Sequence, residues 1–99
     1  MSEKATLVVT GIPNPAEMAS VQAYLQGVQP LLVAAGGKPA KRLKVNRTLN
    51  GKPCGMVLVM DFDSADAITK LFESDAYAAL VPVRDKGFAE MNIHLSQEM

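Results

Sequence analysis

Arg84, His94, Asp61, Tyr77 and Tyr24 are the side chains through which this sequence could do chemistry. His94 is the only histidine, and imidazole is the one side chain that titrates near neutral pH unaided. It could shuttle a proton or serve as one axial haem ligand, or it is a half-wet histidine on an edge strand. Arg84 follows Tyr77 by seven residues and Leu80 by four, which puts all three on one helical face if Pro82 leaves the register intact. A guanidinium there could clamp the carboxylate of a small organic acid, with Tyr77 beside it. The alternative is an arginine paired with an acidic neighbour at a helix end. Asp61, turned toward an apolar surface, would have a raised pKa and could act as a base. The favoured alternative is a carboxylate at the strand end, in water or paired with Arg42 or Arg47 of the neighbouring strand. Tyr24 flanks an apolar helical stripe, where a tyrosine packs more often than it acts as an acid, and it is also a candidate ligand-binding residue. Arg42 and Lys44 form a row that could hold an anion or simply a solvated edge.

The elements that position these residues follow from local signals. Ala5 to Ile12 reads as a strand rich in β-branched residues and is ended by Pro13. Asn14-Pro15-Ala16-Glu17 is a helix start, with a cap, a proline at the first position and a capping-box carboxylate. Met18, Val21, Leu25, Val28, Leu32 and Ala35 then draw one apolar stripe. Pro30 should kink or split that helix near Val28, and Gly36-Gly37 should stop it. Lys41 to Thr48 is a second strand, with Leu43 and Val45 on one side and Arg42, Lys44 and Asn46 on the other. Asn50-Gly51 signals a hairpin into a third strand from about Cys54 to Phe62. Asp63-Ser64-Ala65-Asp66 opens a second helix buried through Ile68, Leu71 and Phe72. Ser74-Asp75 caps a short third helix that carries Tyr77, Leu80 and Val81, is interrupted by Pro82 and ends at Gly87. Phe88 to Ser96 is the last strand.

This order predicts an α+β, ferredoxin-like β-α-β-β-α-β domain over residues 1–99. Its four-stranded antiparallel sheet has order 4-1-3-2, with both helices on one face. Strands one and three are then central, and both are apolar on both faces. Met56, Leu58, Met60 and Phe62 share one side of strand three, and Val57 and Val59 the other. A sheet with one wet face alternates apolar and polar residues instead. Something must cover the face bearing Val8, Val57 and Val59, and a second copy of the chain is the simplest cover.

Phe62-Asp63-Ser64-Ala65-Asp66-Ala67, then Ser74-Asp75-Ala76-Tyr77-Ala78-Ala79-Leu80 and Arg84-Asp85, resemble a bacterial family of dimeric α/β-barrel proteins known as a domain of unknown function. The resemblance runs over nearly the whole chain and is most specific at Tyr77, Leu80 and Arg84. Members often carry Trp or another aromatic before the Ser-x-x-Tyr segment; Phe72 stands there and the chain has no Trp. The resemblance implies a homodimer whose sheets face each other. The wider superfamily includes cofactor-free monooxygenases, lactone isomerases and haem-degrading enzymes, but it assigns no catalytic residue to this chain.

Other classes are closed. The chain has 48% apolar and 20% charged residues, which reads as globular, and Lys plus Arg equals Asp plus Glu at 10 each. That balance gives no net field to draw in nucleic acid or an anionic membrane. The central strands carry valines and leucines where RNA-recognition sheets carry stacking aromatics. No Cys-x-x-Cys, histidine cluster, phosphate loop or nucleophile elbow appears, so no metal or cofactor is expected. Cys54 is the only cysteine and is read as a reduced thiol, or as a reactive or intermolecular one. With no signal-peptide pattern and no membrane-length apolar run, the expected location is the cytoplasm. The expected function is a small-molecule binder or cofactor-independent enzyme with a cleft between sheet and helices. The alternative is a non-catalytic homodimeric interaction or regulatory module.

Overall fold

The computed structural model describes residues 4–99. The elements are β1 (Ala5–Pro13), α1 (Met18–Ala34), β2 (Lys38–Lys44), β3 (Met56–Phe62), α2 (Ala65–Phe72), α3 (Asp75–Ala78), α4 (Val81–Gly87) and β4 (Phe88–Ser96). All strand pairs are antiparallel, in the order β2-β3-β1-β4, which is the expected ferredoxin-like arrangement. β1 and β3 are central because each pairs on both sides.

The helix starts follow their capping chemistry. Asn14 Oδ1 accepts from the Ala16 amide at 3.0 Å and Pro15 opens a 3-10 turn, Pro15–Glu17, that leads into α1. Glu17 does not close a capping box; it faces Lys86 at 3.8 Å. Ser64 caps α2 through the Ala67 amide and Ser74 caps α3 through the Tyr77 amide, each at 3.2 Å. α1 ends as expected. Gly36 takes φ +88°, its amide donates to the Val33 carbonyl at 3.0 Å, and the Gly37 amide donates to Leu32 at 2.9 Å. These paired bonds satisfy the last carbonyls of the helix.

Three expectations are corrected. α1 runs unbroken through Pro30. Proline removes one amide donor, but Pro30 and Gln26, whose carbonyl loses that bond, are both exposed, so water can take the donor's place. The third helix is broken as expected, but ahead of Pro82 rather than at it: α3 ends at Ala78 and a separate α4 begins at Val81. Pro82 stands at the start of α4, where a missing amide costs nothing. Asn50-Gly51 does not make a two-residue hairpin. β2 begins at Lys38 and ends at Lys44, and residues 45–55 form a longer loop closed by a Val45 amide to Gly55 carbonyl bond of 2.9 Å. Gly51 does take a positive φ, +95°, but Asn50 does not, as a two-residue turn of that kind would need.

The helices pack on one face of the sheet. Ala5, Leu7 and Val9 of β1 and Met60 and Phe62 of β3 meet Val21, Val28 and Leu32 of α1 and Ile68 and Leu71 of α2. Leu7 and Phe62 are the most deeply buried, at 1% and 2% exposure. On the far face the register sets Val8 between Val59 and His94, Thr10 between Val57 and Asn92, and Thr6 between Asp61 and Ser96.

Candidate functional site

Tyr24, Tyr77 and Arg84 converge from α1, α3 and α4. The two tyrosine hydroxyls lie 2.9 Å apart, and Arg84 Nη1 donates to the Tyr77 hydroxyl at 3.1 Å. Arg84 Nε and Nη2 also donate to Asp85 Oδ1, at 3.2 and 3.1 Å. The guanidinium carbon lies 5.9 Å from the Tyr77 ring centre, within cation–π range. Aromatic neighbours complete the packing. Phe72 meets Tyr77 edge to face at 4.7 Å, and Phe88 meets Tyr24 at 5.6 Å. Both tyrosines are buried. Burial, then the Tyr77 hydrogen bond, pushes the Tyr24 pKa far above the ordinary tyrosine value. At Arg84 burial works against the charge, but the bonds to Tyr77 and Asp85 outweigh it and hold the pKa above its usual value.

The spacing of Tyr77 and Arg84 anticipated their contact; the arrival of Tyr24 as its buried third member did not follow from any local pattern. Arg84 thus forms the ion pair named as its alternative, with Asp85 at 3.1 Å, while its bond to Tyr77 ties it to the buried tyrosines.

Asp61 and His94 lie on the opposite side of the sheet, apart from this cluster. Asp61 is exposed and accepts a hydrogen bond from Thr6 Oγ1 at 3.0 Å. The expected pairing with Arg42 or Arg47 does not form, because Lys38 is its partner across β2 and Arg42 points to the other face. His94 is exposed beside Val8. The structure therefore does not assemble Arg84, His94 and Asp61 into one site.

The open cleft is elsewhere. A groove of about 350 Å³ runs between α1 and the β2–β3 side of the sheet. Its wall is the face of α1 bearing Leu25, Val28, Gln29 and Leu32, which recur at helical spacing. Its floor is Met56, Leu58 and Met60 of β3, and its rim is Arg42 and Lys44. The register puts Arg42 opposite Leu58 and Lys44 opposite Met56, so both cations stand on the helix side. The groove exists because all seven residues of β2 are exposed, leaving that edge uncovered. A second, more open hollow of about 440 Å³ lies between Lys4, the start of α2 and the end of β4. Among the described residues, no group of three His, Cys, Asp or Glu side chains is placed to hold a metal ion. Cys54 is a free, half-buried thiol. Among the same residues, no helix is long and apolar enough to cross a membrane.

No curated protein matches the chain. Solved structures do, over nearly all of its length. A Rhodopseudomonas palustris protein of unknown function superposes with a TM-score of 0.80 at 14% identity, over 100% of this chain and 85% of that one. A Bordetella bronchiseptica protein, described as a candidate antibiotic biosynthesis monooxygenase, gives 0.70 at 18% identity over 99% of both chains. A Thermobifida fusca protein, described as dimeric, ferredoxin-like and of unknown function, gives 0.63 at 11% identity, over 99% of this chain and 93% of that one. At such identities these likenesses establish the fold. The family model for a domain of unknown function, DUF1330, matches residues 6–99, and the chain belongs to that family.

Proposed function

We propose that this chain is a one-domain small-molecule-binding protein that works as a homodimer, with its ligand in the groove between α1 and the β2–β3 side of the sheet. The groove itself carries the reading. It is concave, floored and walled by apolar side chains, and polar at one rim, as ligand sites usually are. Its volume falls near the lower end of the usual range of about 300–1,000 Å³. Pairing is supported by the far face of the sheet. Val8, Val57 and Val59 point away from the helices, and covering each would contribute up to roughly 1.5–3 kcal/mol. The dimeric description of the Thermobifida fusca neighbour supports the same reading.

The Bordetella bronchiseptica neighbour supports a cofactor-independent enzyme as a variant of this proposal. Binding is the better supported form. The groove lining contains no carboxylate and no imidazole, and three of the five N–H donors of Arg84 are engaged by Tyr77 and Asp85. That internally bonded cluster also favours, as the second reading, a non-catalytic interaction or regulatory module.

A small-fragment screen followed through the protein's amide NMR signals tests the site. Hits that shift Val28, Leu32 and Leu58 are expected. Hits gathered around Arg84, or none, would overturn the groove as the site. Sedimentation tests the pairing: a dimer at micromolar concentration is expected, and a stable monomer would refute it.

A further inference from the structure

We infer that the groove takes an organic anion with an apolar body, a medium-chain or aromatic monocarboxylate, whose charged head lies on Arg42 and Lys44. This rests on the binding reading above and adds the ligand's class. It also moves the organic acid from Arg84, where sequence spacing put it, to the groove beside β2 and β3.

Position is the first ground. Edge lysines and arginines commonly guard a strand against unwanted pairing, and that duty makes no demand on which face they use. Here Arg42 and Lys44 alternate with Leu43, and it is the leucine, 48% exposed, that takes the far face beside Val57. The two cations stand on the helix side at the rim of the apolar hollow, whose lining Leu43 and Val57 also reach.

Their electrostatic state is the second. Among the described residues, the ion pairs are Lys52 with Glu90, Arg84 with Asp85 and Lys86 with Glu17. Arg42 and Lys44 are in none of them. Six of the chain's Lys and Arg residues fall at Lys38, Lys41, Arg42, Lys44, Arg47 and Lys52, and no Asp or Glu occurs from Lys38 to Met60. Lys52 is drawn to Glu90 of β4 and Lys38 lies across from Asp61, but no Asp or Glu is among the groove-lining residues, so an anion in the groove meets Arg42 and Lys44 with no carboxylate in the lining.

Size and texture complete the case. A volume of 350 Å³ is equivalent to about a dozen waters at ~30 Å³ each. That suits a phenylalkyl or alkyl carboxylate of about as many heavy atoms. Met56 and Met60 on the floor can repack around such a body, as unbranched thioether chains do.

The test titrates the full chain with 4-phenylbutyrate and with its neutral isostere 4-phenylbutyramide, reading amide shifts at neutral pH. The carboxylate is expected to shift Gln29, Arg42, Lys44 and Leu58 and to bind at least about tenfold more tightly than the amide. Added salt should weaken the carboxylate and leave the amide unchanged. The Arg42→Gln/Lys44→Gln variant, altered only at exposed positions, should abolish the preference, bringing the carboxylate's affinity down to that of the amide. Equal affinity for both compounds at these residues would overturn the anion assignment while leaving the groove as a binding site. Neither compound shifting the groove would overturn both. Groove shifts that appear only on concentrating the protein would assign the hollow to a second copy and also defeat the inference.

Discussion

At the scale of single residues, the Tyr24–Tyr77–Arg84 cluster shows how buried polar groups are tolerated. A hydroxyl taken out of water costs free energy unless it is bonded, and each of these is. Tyr77 is the shared member. Tyr77→Phe strips a partner from both Tyr24 and Arg84 and is expected to cost about 1–3 kcal/mol in urea unfolding. Tyr24→Phe leaves the Tyr77–Arg84 bond in place and should cost about 0.5–1.5 kcal/mol. The double variant should cost less than the sum, because both lose the same bond. The raised pKa of Tyr24 also has a pH consequence. The folded chain keeps a proton that the unfolded chain releases near pH 10. Stability from this group is complete below that pH and falls as pH rises beyond it, by roughly 1.4 kcal/mol per pH unit. Alkaline unfolding followed by circular dichroism should show a shallower decline for Tyr24→Phe than for the parent chain.

Whole elements hold their course against some local signals. α1 continues through Pro30 because Val28 and Leu32, on either side of it, are both anchored in the core. Packing of an apolar face outweighs one missing hydrogen bond. Pro30→Ala restores that bond at an exposed site and is expected to add about 1–2 kcal/mol, after allowing for the freer unfolded chain, as read by chemical denaturation. The contact between α1 and α4 is closer still. A Cβ on Gly87 would fall 2.8 Å from the Val21 amide nitrogen and 3.0 Å from the Ser20 carbonyl carbon. Backbone cannot yield as a side-chain tip can. Gly87→Ala should therefore separate the two helices and cost about 1–3 kcal/mol, with a lower melting temperature.

For the whole molecule, the sheet divides two tasks between its faces. One is buried under helices; the other carries Val8, Val57 and Val59 with Asp61 and His94 at their margins. Val59→Lys puts a charge at the centre of the proposed pairing surface without touching the core. It is expected to shift the chain to monomer in sedimentation while leaving the far-ultraviolet circular dichroism unchanged. A dimer persisting in this variant would mean that the copies meet elsewhere. Charge is divided as well, since the acid-free stretch around β2 sits on one edge of a chain that is neutral overall.

The order and kind of the elements were legible in the sequence, because caps, β-branched runs and glycine stops act over a few residues. β4 was read with its bounds, Phe88–Ser96, and α1 with its stop at Gly36-Gly37. The meeting of Tyr77 with Arg84 was legible too, since only seven residues separate them, on the consecutive short helices α3 and α4. Tyr24 comes to them from 53 residues away, and only the docking of α1 on α3 and α4 brings it there. The start of β2 was missed because its first residues, Lys38 and Pro39, owe their place to pairing with Asp61 and Met60 rather than to strand propensity. Alternation showed that Arg42 and Lys44 oppose Leu43. It could not say which side faces the helices, because that depends on how β2 registers against β3. The tertiary structure made that choice, and with it separated Arg84, His94 and Asp61, which the sequence had named together as candidates for chemistry, and put two other cations beside the open groove.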